Sequence, residues 1–206
     1  MFVKGGGDIL KNLLISGYRS YELNIFEQTD PKYKFLREFL KNRIITFIEN
    51  GVEWFIIGGE LGVELWAGEI VLELKEDYPE IHLAVILPYT SFGEKWNEVN
   101  RGLLERVTHE ADYVNYTSNK GYESPAQLNA NQVFNIRNTD GAFLVYDIMY
   151  EASAAGKPKF LYDLILQYQK QSEYELHLAS FEEIDFFIQE LQESSEDFRQ
   201  NLLNEE

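Results

Sequence analysis

The chain has no cysteine among its 206 residues. That excludes disulfides, thiolate nucleophiles and cysteine-ligated zinc or iron–sulfur sites. Positive charge is scarce: 18 Lys and Arg stand against 35 Asp and Glu, a formal net charge of −17. A surface this acidic disfavours nucleic acid as a partner, because such binding is driven by cations that neutralise phosphates. There is no apolar run of the roughly 20 residues a membrane helix needs, so no membrane partner is expected. The start of the chain lacks a signal-peptide apolar core, so a cytoplasmic protein is expected. Histidine is limited to His82, His109 and His177. None has a second histidine at i,i+4, so no metal is expected.

What is present is a hydrophobic fraction of 45% with 13 Tyr and 14 Phe, enough for a sizeable core. The acid is concentrated at the end. Residues 182–206 hold nine carboxylates against Arg199 alone, and the rest of the chain is still acidic. The Gly5-Gly6-Gly7 run marks residues 1–11 as a flexible extension. Residues 12–191 are expected to form one domain, and 192–206 an acidic tail.

Between these ends the pattern alternates. Short apolar runs at 12–16, 53–57, 81–87, 111–116, 142–146 and 174–179 read as strands. They are separated by stretches of helical spacing at 31–50, 60–76, 94–109, 124–138 and 157–171, with a last helix from about Ser180. The central runs are almost continuously apolar, as strands covered on both faces must be. Right-handed crossovers then give an α/β, Rossmann-like three-layer αβα sandwich with a mainly parallel sheet of about six strands. Ligands of such sheets bind beyond the C-terminal ends of the strands, where strand order reverses. The loops at 16–22, 58–64, 88–100, 117–124 and 147–157 should share that face.

The stretch "GGELG" (58–62) closes the second strand and opens a helix. Its GGxxG spacing is neither the GxGxxG of dinucleotide folds nor a Walker loop. Gly58, Gly59 and Gly62 can let an anion approach helix N–H groups, or can serve tight strand-to-helix packing. Glu64, in the first helical turn, favours the helix dipole but would repel phosphate, so as a ligand residue it should face hydroxyls. Arg19, in "SGYRS" beside Gly17, can fork onto a phosphate or pair with Glu22. Trp96 can stack on a base or anchor its loop, with Asn100 beyond it. Tyr122, Glu123 and Ser124 combine a ring, an acceptor and a donor, and Ser124 also suits an N-cap.

Several stretches, "LLISGYRSYELNIF" (13–26), "IIGGELGVELWAGE" (56–69), "LAVILPY" (83–89) with "KWNEVN" (95–100), "GYESPAQLNANQ" (121–132) and "RNTDGAFLVYD" (137–147), together resemble the YpsA family of bacterial proteins over residues 12–180. That family is part of the SLOG superfamily of Rossmann-like domains, with the LOG-type phosphoribohydrolases and the DNA-processing protein DprA. The resemblance implies a site for a nucleotide or nucleotide-derived ligand, in a family linked to bacterial cell division. The first reading is a protein that binds such a ligand without catalysis and acts as a sensor or regulator. It implies contacts at Gly58, Gly59 and Gly62, with Arg137 as a further candidate. LOG enzymes carry PGGxGTxxE, including the catalytic glutamate, where this chain reads "DIMYEASAAGK" (147–157). Ser153 and Gly156 remain as phosphate contacts, but no glutamate has the matching spacing. The alternative is nucleoside 5′-monophosphate phosphoribohydrolase activity using Glu64 or Glu151. A DprA-like single-strand DNA binder is disfavoured by the charge. A cell-division protein and a second copy of the chain are the macromolecular partners left open. No cofactor is expected beyond the nucleotide-derived ligand.

Overall fold

The computed structural model describes residues 10–150 and 156–204, with the side chains of Lys157 and of residues 194–204 outside that description. Among these residues six strands alternate with six helices: β1 (Asn12–Gly17), α1 (Pro31–Glu49), β2 (Trp54–Ile57), α2 (Val63–Leu74), β3 (His82–Leu87), α3 (Glu98–Glu110), β4 (Tyr113–Tyr116), α4 (Ala126–Arg137), β5 (Gly141–Val145), α5 (Lys157–Gln169), β6 (Glu175–Ala179) and α6 (Phe181–Asn204). The strands form one sheet in the order β4-β3-β2-β1-β5-β6. Every pairing is parallel, with Leu13 opposite both Phe55 and Gly141.

The order explains the layers. From β1 the chain steps outward through β2, β3 and β4, and right-handed crossovers put α1, α2 and α3 on one face. It then returns to β5 on the other side of β1, which places α4 and α5 on the opposite face. The contacts agree: α1 packs on α2 and α6, α2 on α3, and α4 on α5. Strand order therefore reverses between β1 and β5.

Local sequence sets the element ends. Asp30 caps α1 by accepting from the Lys32 N–H at 2.8 Å, and Pro31 occupies the first turn. Gly51, at φ 98°, stops the same helix. The inward stripe of α1 is Leu36, Phe39, Leu40, Ile44, Phe47 and Ile48. α2 is apolar nearly all round because it lies between α1, α3 and the sheet, and eight apolar residues of it are buried.

Several boundaries differ from the sequence expectation. α2 starts at Val63 rather than 60, because residues 58–62 form a turn with Gly59 at φ 82° and Gly62 at φ 107°. α3 starts at Glu98 rather than 94, because Asn97 caps it by accepting from the Asn100 N–H at 2.9 Å. Ser124 is not the cap of α4. The Gln127 side chain instead accepts from the N–H groups of Glu123 and Ser124, at 2.7 and 3.2 Å. The last helix runs on through the acidic residues to Asn204.

Candidate functional site

The C-terminal ends of β1, β2 and β3 open onto a cavity of about 460 Å³ beneath α4 and α5. Leu14 and Ser16 project from β1, Gly58 and Glu60 come from the β2–α2 turn, and Glu64 reaches over from α2. One face of α4 supplies Leu128, Asn129, Asn131, Gln132 and Asn135. Arg19, Tyr21 and Glu22 of the β1–α1 loop complete the wall, with Phe160 and Leu161 of α5.

The "GGELG" turn is held from within. Glu64 is only 3% exposed. Its carboxylate accepts from the Ser16 hydroxyl at 2.6 Å and from the backbone N–H groups of Gly58 and Glu60, at 2.9 and 3.1 Å. Two N–H groups of the turn thus already serve an anion, the protein's own. This ties the head of α2 to β1 and β2.

The three glycines have separate reasons. A Cβ on Gly59 would come within 2.4 Å of Leu87 Cδ2, on the α3 side of the sheet. One on Gly62 would lie 2.5 Å from the Ser20 nitrogen and 2.6 Å from the Tyr18 carbonyl oxygen. There the turn meets the β1–α1 loop through an isolated bridge between Arg19 and Gly62. Gly59 and Gly62 also have positive φ. Gly58 alone lines the cavity.

Arg19 is the one cation among the described residues of the wall. Its partner is Glu60, not Glu22: Nε and Nη2 donate to the two carboxylate oxygens at 3.1 and 3.0 Å, and Nη1 to the Tyr21 hydroxyl at 3.1 Å. Glu22 instead accepts from the Arg19 backbone N–H at 2.6 Å. Burial by itself would lower the Arg19 pKa, but the Glu60 carboxylate and its hydrogen bonds raise it above the ordinary value.

The structure thus brings Arg19, Gly58 and Glu64 together in one cavity. Gly17 sits at the end of β1, packed so closely that a Cβ would meet Val145 Cβ at 2.9 Å. Gly156, the N-cap of α5, lies near the rim, where a Cβ would approach Glu22 Oε1 to 3.2 Å. Trp96 packs edge-on against Phe92 at 5.2 Å in the β3–α3 loop. Asn100 lies in the first turn of α3, and neither residue lines the cavity. Tyr122 is exposed with its ring 5.4 Å from Tyr89, and Glu123 pairs with Lys120 at 3.0 Å. Ser124 precedes α4 just outside the wall. Arg137 ends α4 at the opposite end of the strands. Glu151 and Ser153 lie outside the described residues.

Sequence reasoning missed the amides of α4. Asn131 and Asn135 are 6% and 3% exposed, one helical turn apart on the inward stripe. The signal was available: an inward helical face that carries amides where Leu or Ile belongs marks something other than core.

Residues 13–184 match the profile of the YpsA family, described as a YspA SLOG family. The chain belongs to the YpsA family. It is similar to a UPF0398 protein of Listeria monocytogenes serotype 4a, 42% identical over 191 residues, covering 93% of this chain and 99% of the relative. UPF0398 proteins of Enterococcus faecalis and Levilactobacillus brevis are 39% and 40% identical, over 86% and 90% of this chain and 96% of each relative. The six-stranded parallel sheet agrees with the Rossmann-like fold that the resemblance implies. No helix among the described residues is long and apolar enough to cross a membrane.

Proposed function

We propose that this protein binds a nucleotide or nucleotide-derived small molecule in the cavity over β1 and β2, and acts as a sensor or regulator. The observation that supports this best is position. A cavity of about 460 Å³, within the usual size range of small-molecule sites, lies beside the strand-order reversal of an all-parallel sheet. It combines apolar walls from Leu14, Leu128 and Leu161 with convergent polar groups and one guanidinium. The family resemblance adds the setting, a regulatory role in bacterial cell division. Binding is favoured over N-glycosidic hydrolysis because Glu64 is engaged by three donors that hold its turn together. A general acid or base needs an oxygen turned toward substrate.

A thermal-shift panel of nucleotides followed by calorimetry tests the proposal. Arg19→Ala should weaken the binding of a phosphorylated hit by roughly 10- to 150-fold, the worth of a charged hydrogen bond. Glu60→Gln should tighten it, because the guanidinium edge now bonded to Glu60 becomes available. A panel without one saturable binder would refute the reading. Protein-dependent release of free base from a nucleoside monophosphate, followed by chromatography, would favour the hydrolase instead.

A further inference from the structure

The inner end of the cavity has a chemical bias of its own. Gly58 carries no side chain, and a Cβ there would lie 2.9 Å from Glu64 Oε2 and 3.4 Å from Asn131 Oδ1. Two oxygens therefore border the space in front of this glycine. Asn131 is oriented by its amide nitrogen, which donates to the Ile86 carbonyl at 2.8 Å and lies 3.5 Å from Thr117 Oγ1. Its oxygen is left toward Gly58 and receives only a long 3.4 Å contact from Asn135 Nδ2. Asn135 Oδ1 is buried with no hydrogen-bond donor among the described residues. A buried amide oxygen without a donor is uncommon and costly. The wall as a whole sets the carboxylates of Glu22, Glu60 and Glu64 against Arg19. This end of the cavity has acceptors in surplus.

We propose that the space in front of Gly58, bordered by Glu64 and Asn131 with Asn135 beside Asn131 on the same cavity wall, is a hydroxyl subsite for the vicinal diol of a sugar ring. It rests on the nucleotide reading above and assigns the ribose end of that ligand. A phosphate here would face carboxylate and amide oxygens, so it turns outward toward Arg19. A cationic amine is the less suitable donor, because the Glu64 charge is already met by one hydroxyl and two N–H groups. What remains are neutral amide oxygens, and hydroxyls are neutral donors that still have lone pairs for the Gln132 amide on the same wall. Leu14, Leu128 and Leu161 offer apolar surface to the ring carbons.

The test uses the full chain and calorimetry with the four common ribonucleoside 5′-monophosphates, their 2′,3′-dideoxy counterparts, and cadaverine as a hydroxyl-free amine. At least one ribonucleotide should bind roughly 10- to 150-fold more tightly than its dideoxy partner. Asn135→Leu, which keeps the branching at Cγ but replaces the amide with two methyl groups, should erase most of that preference. Circular dichroism checks that the larger side chain is accommodated. If Asn135→Leu does not fold, Gly58→Ala carries the test, since its methyl group enters the proposed space. Equal binding of ribo- and dideoxynucleotides overturns the diol subsite alone. So does a preference that survives the substitution, or competition by cadaverine. Binding of neither nucleotide series overturns this subsite and the nucleotide reading together.

Discussion

Removing the Glu64 side chain should unfasten the head of α2 and lower stability, before any ligand is considered. Glu64→Ala leaves three donors without their acceptor: the Ser16 hydroxyl and the N–H groups of Gly58 and Glu60. A buried donor left unsatisfied costs about 1–3 kcal/mol. Water entering the adjoining cavity can serve the two backbone groups, so the sum belongs at the lower end, about 3–5 kcal/mol. Glu64→Gln should be much milder, about 1–2 kcal/mol. Its amide oxygen can keep the two N–H groups, while the Ser16 hydroxyl rotates to accept from the new NH₂. Urea unfolding read by circular dichroism gives both numbers. A scanning calorimeter should show the alanine variant melting about 6–20 °C lower, at roughly 2–4 °C per kcal/mol for a chain of this size. An alanine variant within about 1 kcal/mol of the parent would refute the reasoning. The carboxylate would then not be holding the turn, and Glu64 would return as a candidate for proton chemistry.

Other outcomes follow from the same geometry. Gly62→Ala should cost at least about 2 kcal/mol by urea unfolding, since φ is 107° and the new Cβ would meet backbone atoms of the β1–α1 loop. Asp112 should contribute to acid sensitivity. Burial pushes its carboxyl up, but the Lys75 ammonium and the Leu83 N–H outweigh this and hold it below its ordinary value. A depressed carboxylate stabilises the fold above its unfolded pKa of about 4 and loses that contribution as pH falls through the lower folded value. Asp112→Asn should therefore be less stable at pH 7, with a shallower loss of stability below about pH 4. Truncation after Leu191 should change the melting temperature by less than about 2 °C, because residues 192–206 offer only Phe198, Leu202 and Leu203 as apolar cover. A larger drop would show that the end of α6 docks on the domain.

Much of the fold was legible because it rests on short-range chemistry. A short apolar run such as "IHLAVIL", closed by Pro88, has the length of a strand covered on both faces, and Asp30-Pro31 and Asn50-Gly51 carry the start and stop of α1 in their own side chains and backbone preferences. The boundaries that moved are those set by a partner distant in sequence. Gly62 is outside α2 because its Cα abuts the loop carrying Tyr18 and Ser20, a contact that no window around residue 62 contains. Pro125, not Ser124, stands at the cap of α4, and the Gln127 side chain folds back onto the N–H groups of Glu123 and Ser124 ahead of it.

By itself, then, the sequence determined the alternation of six strands and six helices, the parallel sheet with a cavity-bearing edge, and family membership. Periodicity, turn residues and motif order are local properties, and they survive being read one segment at a time. Only the tertiary structure decided what the conspicuous residues do. It turned the Glu64 carboxylate onto N–H groups that a ligand anion would have needed, and gave Arg19 to Glu60. It separated Trp96 and Arg137 from the cavity, and it brought Asn131 from a plain-looking helix against Gly58, with Asn135 on the same wall. The physical reason is common to all of these. A polar side chain's role is fixed by the donors and acceptors it meets across the fold, and those are chosen by packing, not by spacing along the chain.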